Sequence, residues 1–242
     1  MNDALVNLEN VEKIFTTKAG PFAALRGVDL RIESGEFVAI VGPSGSGKST
    51  LINMITGIDR PTTGEVYVAG ERLTRLGENE VAKWRGRNVG VVFQFFQLLP
   101  TLTIVENVMM PMNYCGTYKG RRRERAMEML ELVDVPETAG NYPSQISGGQ
   151  QQRAAIARAM VNDPKLIVGD EPTGNLDAVS AGLVFELFEE LVRQGKTIVM
   201  VTHDRELAGR IPRVEEVRDG RIVGAANVDE RLVAGHQPTA EP

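Results

Sequence analysis

Phe37-Val38-Ala39-Ile40-Val41, followed at once by Gly42-Pro43-Ser44-Gly45-Ser46-Gly47-Lys48-Ser49-Thr50, decides the fold. The first five residues are continuously apolar, as a strand buried on both faces of a sheet has to be. After the glycines the pattern changes. Leu51, Ile52 and Ile55 fall on one face of a helix that Gly57 is placed to end. Strand, glycine-rich loop, helix is the setting a phosphate-binding loop requires. Glycines let backbone N–H groups approach a polyphosphate and accept unusual dihedrals, and the new helix aims its positive dipole end at the same place. Lys48 is positioned for the β- and γ-phosphates, and the Ser49 hydroxyl for a Mg²⁺ ion.

Three more runs share the character of Phe37 to Val41. They are Val89-Gly90-Val91-Val92-Phe93, Leu166-Ile167-Val168 and Ile198-Val199-Met200-Val201. Each is apolar throughout and each is followed by something polar: Gln94, then Asp170-Glu171 after Gly169, then Thr202-His203-Asp204. Parallel strands gather their ligands beyond their carboxyl ends. The phosphate loop, an amide, two carboxylates and an imidazole are thereby expected along one sheet edge. Asp170, closing a buried strand, suits Mg²⁺ directly or through water. Glu171 points elsewhere and suits a general base. His203 is placed to touch a terminal phosphate, although a lone histidine is equally at home in a structural role.

The predicted class is therefore α/β, with a mostly parallel sheet. Ala4 to Leu8 and Val28 to Glu33 alternate apolar and polar, and Glu65 to Ala69 lies between glycines; these predict an antiparallel β unit at the N-terminus. Thr16 to Gly20 reads as a loop. Phe15 stands at its edge, where core packing is its simplest use. Between Gln94 and the third buried strand, Val105 to Met112 and Arg121 to Val133 read as helices, the second with Met127, Leu130 and Val133 on one face. Residues 97–160 are thus expected to be a helical lobe inserted in a single domain spanning 1–232. Arg121, Arg122, Arg123 and Arg125 oppose the dipole of their helix and read as a solvated face or a contact. The lobe closes with Ile146-Ser147-Gly148-Gly149-Gln150, then an alanine-rich helix to Val161. Ser147 and Gln150 have capping-box spacing, and Gly148 and Gly149 leave the first amides bare. This makes an ordinary capped helix or a second phosphate site. One nucleotide does not need two such sites from one chain, which hints at a nucleotide shared between two chains. Asp177 caps a helix with Leu183, Val184, Leu187, Phe188 and Leu191 on one face, ended by Gly195. Val214 to Arg218 and Arg221 to Val223 flank Asp219-Gly220, a hairpin signal. The polar tail from Val233 to Pro242 is expected to be disordered.

The chain has 242 residues, 42% hydrophobic and 24% charged, enough for a sizeable core. Its formal charge of −5 gives no reason to expect nucleic acid as a partner. One cysteine, Cys115, forms no internal disulfide, so a reducing cytoplasm fits. The acidic start Met1-Asn2-Asp3 predicts no signal peptide, and no apolar run approaches the ~20 residues that span a bilayer. A membrane role is expected to come through a partner.

These motifs resemble those of the ATP-binding cassette ATPases over nearly the whole chain. Gly42 to Ser49 is similar to the Walker A motif of that family, and Leu166 to Glu171 to Walker B with its catalytic glutamate. Gln94 matches the Q-loop, Asp177 the D-loop and His203 the switch histidine. Ile146 to Gln150 is similar to the family signature, with isoleucine for the usual leucine. Phe15 falls where the family stacks an aromatic on adenine. The resemblance implies Glu171, His203 and Gln94 as catalytic groups, and Ser49, Gln94 and Asp170 as Mg²⁺ donors. It implies ATP held by Phe15, by Gly42 to Thr50 and, across a head-to-tail homodimer, by Ser147, Gly148, Gly149, Gln150 and Asp177 of the other copy. It further implies a permease docked beside Gln94, on the cytoplasmic face of the membrane. Phe93 to Pro100 and Thr173 to Asp177 look most like the lipoprotein-release and macrolide-export branch.

Three alternatives fit less well. A DNA-maintenance ATPase head needs a long coiled coil between the phosphate loop and the signature, and Gln94 and Ser147 are too close for one. A two-cassette translation factor needs a second phosphate loop. A small-molecule kinase leaves the signature unexplained.

Overall fold

The four apolar runs form adjacent strands of one sheet in the computed structural model, which describes residues 4–18 and 20–225. They are β3 (Phe37–Val41), β6 (Val89–Phe93), β7 (Leu166–Asp170) and β8 (Thr197–Val201). With β9 (Arg213–Arg218) and β10 (Arg221–Ala225) they make a six-stranded sheet in the order β10-β9-β3-β8-β7-β6. All neighbours are parallel except the β9–β10 hairpin. Alternation explains why these strands show no polar face. Phe37 and Ala39 enter one hydrophobic cluster and Val38 and Ile40 the other; Ile198 and Met200 divide from Val199 and Val201 in the same way. A strand with a core on each side is apolar at every position.

A second sheet, in the order β2-β1-β4-β5, is antiparallel. Its strands are β1 (Ala4–Thr17), β2 (Gly20–Glu33), β4 (Thr63–Val68) and the two-residue β5 (Glu71–Arg72). One cluster lies between the two sheets and around α1 (Lys48–Thr56). The other lies between the large sheet and the helices α3 (Ile104–Cys115), α4 (Arg122–Leu132), α5 (Gly148–Met160) and α6 (Ala178–Arg193). Phe185 and Phe188 of α6 are fully buried there, each contributing about 1.5–3 kcal/mol of burial free energy. The helical segment is continuous with the core of the sheet: Met112, Leu130 and Ala154 belong to the same cluster as Phe37. The short helix α7 (Arg205–Gly209) follows β8.

Several elements differ from the sequence reading. The loop expected over Thr16 to Gly20 is narrower, since β1 runs to Thr17 and β2 starts at Gly20. A helix, α2 (Glu78–Asn88), was not anticipated; its only buried side chain is Val81, so it carries no apolar stripe. On α6, Leu183 is exposed and Phe185 takes its place in the core. Three of the four arginines at the start of α4 have local partners. Arg121 pairs with Glu124, Arg125 pairs with Glu128, and Arg122 donates to the Thr117 carbonyl and to Asn113. The tail from Val233 to Pro242 lies outside the described residues.

Candidate nucleotide site

The cavity at the carboxyl edge of the large sheet has a volume of about 570 Å³. It is lined by Gly42, Ser44, Gly45, Gly47, Lys48, Ser49 and Thr50 of the loop and α1, by Glu171 and His203, and by Phe15, Phe22 and Ala24 of the β1–β2 pair. Gly42 has φ +149, and a Cβ there would stand 2.1 Å from the Val217 carbonyl oxygen, so only glycine permits this path between β3 and β9. Ser46 is buried beneath the loop, its hydroxyl without a hydrogen-bond partner. Gly47, in the left-handed region, precedes α1 and offers no side-chain cap. The first amides of α1 therefore remain available to an anion. Lys48 Nζ donates to the carbonyls of Gly42 and Pro43, each at 2.9 Å, which folds the ammonium back over the loop.

Asp170 ends β7 and Glu171 follows it with φ +49. Left-handed backbone costs a non-glycine residue roughly 1–2 kcal/mol. It separates the directions of the two adjacent carboxylates, and the Glu171 N–H is held by the Val201 carbonyl at 3.0 Å. Glu171 Oε2 lies 3.0 Å from His203 Nδ1, so the two catalytic candidates engage each other. Burial pushes the Asp170 carboxyl above the usual carboxylate range. The charge of Glu171 adds to the rise and Lys48 opposes it. A divalent cation beside Asp170 would relieve that penalty, and with the Ser49 hydroxyl it supplies the sparse oxygen set that Mg²⁺ takes when substrate phosphates complete its shell. The residues present fit the ion on that chemistry. The Gln94 amide is turned away from the cavity: its Nε2 is 3.4 Å from Asn175 Oδ1, and Asn175 Nδ2 donates back to the Gln94 carbonyl at 3.1 Å.

Ser147, Gly148, Gly149, Gln150 and Asp177 line no part of this cavity. Ser147 is the N-cap of α5 with its capping box formed: Gln150 N–H donates to Ser147 Oγ at 3.3 Å and Ser147 N–H to Gln150 Oε1 at 3.0 Å. Asp177 caps α6 by accepting from Ser180 N–H at 3.0 Å and from its hydroxyl at 2.7 Å. The two caps touch, because a Cβ on Gly149 would lie 2.6 Å from Ser180 Oγ.

Sequence reasoning missed four members of this constellation. Phe22 is the cross-strand partner of Phe15, a pairing that counting outward from a hairpin turn would have found. Asn175 holds Gln94. Arg158 and Gln152 carry no local signal. Arg158 Nη2 donates to the Phe96 carbonyl at 2.8 Å and Nη1 to the Gln97 carbonyl, while Gln152 donates to the Pro172 carbonyl beside Glu171.

A parallel sheet with a glycine-rich phosphate loop after a central strand, β3, and an acidic pair at the end of the next strand but one, β7, defines a P-loop nucleoside triphosphatase. The family model described as ABC transporter matches residues 25–174. The chain is 47% identical over 220 residues to the lipoprotein-releasing system ATP-binding protein LolD of Xanthomonas campestris pv. campestris, covering 90% of this chain and 92% of that one. It is 43% identical to the pyoverdine export ATP-binding/permease protein PvdT of Pseudomonas fluorescens, where 99% of this chain spans 39% of that protein. The dimeric post-hydrolysis structure of the ATP-binding cassette MJ0796 bound to ADP and Pi superposes with a TM-score of 0.85 at 41% identity, over 92% of this chain and 98% of that one. The chain belongs to the ABC transporter family, as an ATPase cassette. No helix among the described residues is long and apolar enough to cross a membrane.

Proposed function

We propose that residues 1–232 act as one ATPase domain, with the helical segment 97–160 inserted, and that two copies close head to tail over ATP to drive a separate membrane permease. The work is export or mechanical force of the lipoprotein-release and macrolide-export type, delivered at the cytoplasmic face of the membrane. One observation carries this reading. The cavity holds the groups for a triphosphate on one wall, while the second phosphate-type helix terminus, at Ser147, lines no part of it. A second copy supplies that missing wall. The similarity to LolD and to the dimeric cassette supports the same arrangement.

In this scheme the amides of Gly45 to Thr50 and the Lys48 ammonium bind the β- and γ-phosphates, and Phe15 takes the base. Lys48 must leave the Gly42 and Pro43 carbonyls to do so. Ser49 and Asp170 would hold Mg²⁺, joined by Gln94 on its release from Asn175; such an ion, when bound, would supply neutralisation of charge on the phosphate oxygens. Glu171 orients the attacking water and accepts its proton at a carboxylate oxygen as the bond to the γ-phosphorus forms and the bond to the ADP oxygen breaks. His203 leaves Glu171 for the γ-phosphate, so arrival of the nucleotide frees the base. Ser147, Gly148, Gly149 and Gln150 of the other copy close the γ-phosphate side, and Asp177 keeps that copy's interface loop in place.

Glu171→Gln tests this. It should retain ATP binding, lower turnover by ~10²–10⁴, and elute as a dimer with ATP but not with ADP on size-exclusion chromatography. A variant that hydrolyses ATP normally would remove Glu171 from its role. One that stays monomeric with ATP, alone and with permease present, would remove the shared site.

A further inference from the structure

The base end of the cavity contains a second aromatic residue. Phe22 is directly opposite Phe15 across the β1–β2 pair, and cross-strand partners project from the same face of a sheet. Both line the cavity together with Lys48 and Ser49. Phe22 is 51% exposed and Phe15 38%, and neither enters a hydrophobic cluster. Two large rings left open to water at the mouth of a cavity gain little for folding and have much to gain from a flat apolar ligand. Phe15 is partly engaged already. The Lys13 ammonium stands 4.9 Å from its ring centroid, anchored by Asp59 and by the Arg60 carbonyl, each at 2.7 Å. Lys13 thereby covers one face of Phe15 and leaves one face for a base. Ala24, also on β2, borders the phosphate loop, since a Cβ on Gly47 would stand 2.5 Å from its carbonyl oxygen. Phenylalanine side chains have no hydrogen-bonding group, so neither ring reads the edge of a base.

We propose that Phe22 is a second base-stacking residue. With Phe15 it forms an aromatic wall that takes the nucleobase of a nucleoside triphosphate by its π-face, while the polyphosphate and not the base edge sets selectivity. The inference rests on the assignment of this cavity to a nucleoside triphosphate. It adds a residue to the site and a substrate class, purine nucleoside triphosphates at large.

The experiment is calorimetric titration of the full chain, without nucleotide and in the presence of Mg²⁺, with ATP, GTP and inorganic tripolyphosphate. Phe22→Ala should weaken ATP and GTP by about 5- to 30-fold, the range of one base–aromatic stack, and change tripolyphosphate by less than about twofold. Phe22→Trp should restore affinity, and Phe22→Leu, equally apolar but without a π-face, should not. Wild-type ATP and GTP affinities should agree within about fivefold, because stacking tolerates every base. The proposal falls if Phe22→Ala binds ATP as the wild type does, if tripolyphosphate weakens in step with ATP, or if leucine serves as well as phenylalanine. Discrimination of ATP over GTP by more than about 100-fold would overturn the selectivity claim, since only a base edge read by hydrogen bonds gives that ratio. Wild-type protein that binds neither ATP nor tripolyphosphate would remove the nucleotide assignment itself. ATP binding indifferent to Phe22 would remove only this inference.

Discussion

Replacing Arg158 by methionine should loosen the Phe96–Gln97 turn without unfolding the helix beneath it. Both turn residues are left-handed, with φ +49 and +54, which costs roughly 1–2 kcal/mol each. Their carbonyls are held by the Arg158 guanidinium from α5. Burial lowers the pKa of that guanidinium, and among the described residues its partners are carbonyl oxygens and no carboxylate. Hydrogen bonds to a charged group are worth about 1.5–3 kcal/mol each, and part of that is offset by the desolvation Arg158 already bears. A net loss of about 2–4 kcal/mol, confined to the turn, corresponds to faster local opening by about 30- to 1000-fold. Methionine keeps the apolar stem in place, so global stability should change far less. Hydrogen exchange by mass spectrometry should show the loss of protection in peptides covering 94–98 and unchanged protection in α5 and β6. Monomer affinity for ATP should stay within about twofold, because Arg158 lies outside the cavity. Unchanged exchange at the turn would refute the clamp. An even rise across α5 and β6 would show a packing role instead.

Two further outcomes are expected. Ser147→Arg should abolish hydrolysis and ATP-dependent dimer formation while the monomer still binds ATP, measured by titration and by size-exclusion chromatography; loss of monomer binding would place the serine at its own chain's nucleotide. Asp170→Asn should stabilise the nucleotide-free protein at neutral pH and abolish Mg²⁺-dependent turnover. Its carboxyl titrates above the ordinary value in the fold, so the penalty of ionising it is absent below the ordinary pKa, grows as pH rises through the folded value and is full above it. The gain in melting temperature should accordingly vanish in acid, and a gain that persists there would refute the desolvation account.

The buried strands were legible because each has a core on both sides and is an apolar run that ends at once in a polar or glycine-rich segment. The outer part of the β1–β2 hairpin was not. Glu12 to Thr17 are at most half-buried, so no alternation marks them, and with the hairpin extent unread Phe22 had no reason to be set opposite Phe15. Helix α2 was silent for the same reason, its one buried side chain being Val81. On α6 the reading was one residue out of phase at its start, since Leu183, Val184 and Phe185 are all apolar and only packing decides which faces water. The loop chemistry was legible wherever a glycine or a cap had a local purpose, as at Gly42, Ser147 and Asp177. It was illegible where a side chain serves a distant carbonyl. Arg158 meets Phe96 and Gln97 across 61 or 62 residues, and no spacing rule anticipates that.

The two helix termini assigned to phosphate are not in equivalent states, and the difference orders the steps. Before α1, Gly47 provides no side-chain cap, so the first amides there have nothing to give up when a phosphate arrives. Before α5, Ser147 already satisfies the Gln150 amide, at 3.3 Å, and Gln150 returns the bond. A serine cap is worth about 1 kcal/mol, less than one charge-assisted bond to phosphate at about 1.5–3 kcal/mol. The Ser147 terminus is therefore self-satisfied while alone and still able to yield. Nucleotide should load on the Walker A loop of a single copy, where no helix cap has to break and only the Lys48 ammonium gives up its bonds to the Gly42 and Pro43 carbonyls. In the proposed dimer, a phosphate presented by the second copy would offer enough to open the cap at Ser147, and that opening would reach Ser180 and Asp177 through the close approach of Gly149. If two copies close as proposed, closing one site would disturb the Asp177 loop bordering the other, a physical route by which two nucleotides would sense each other.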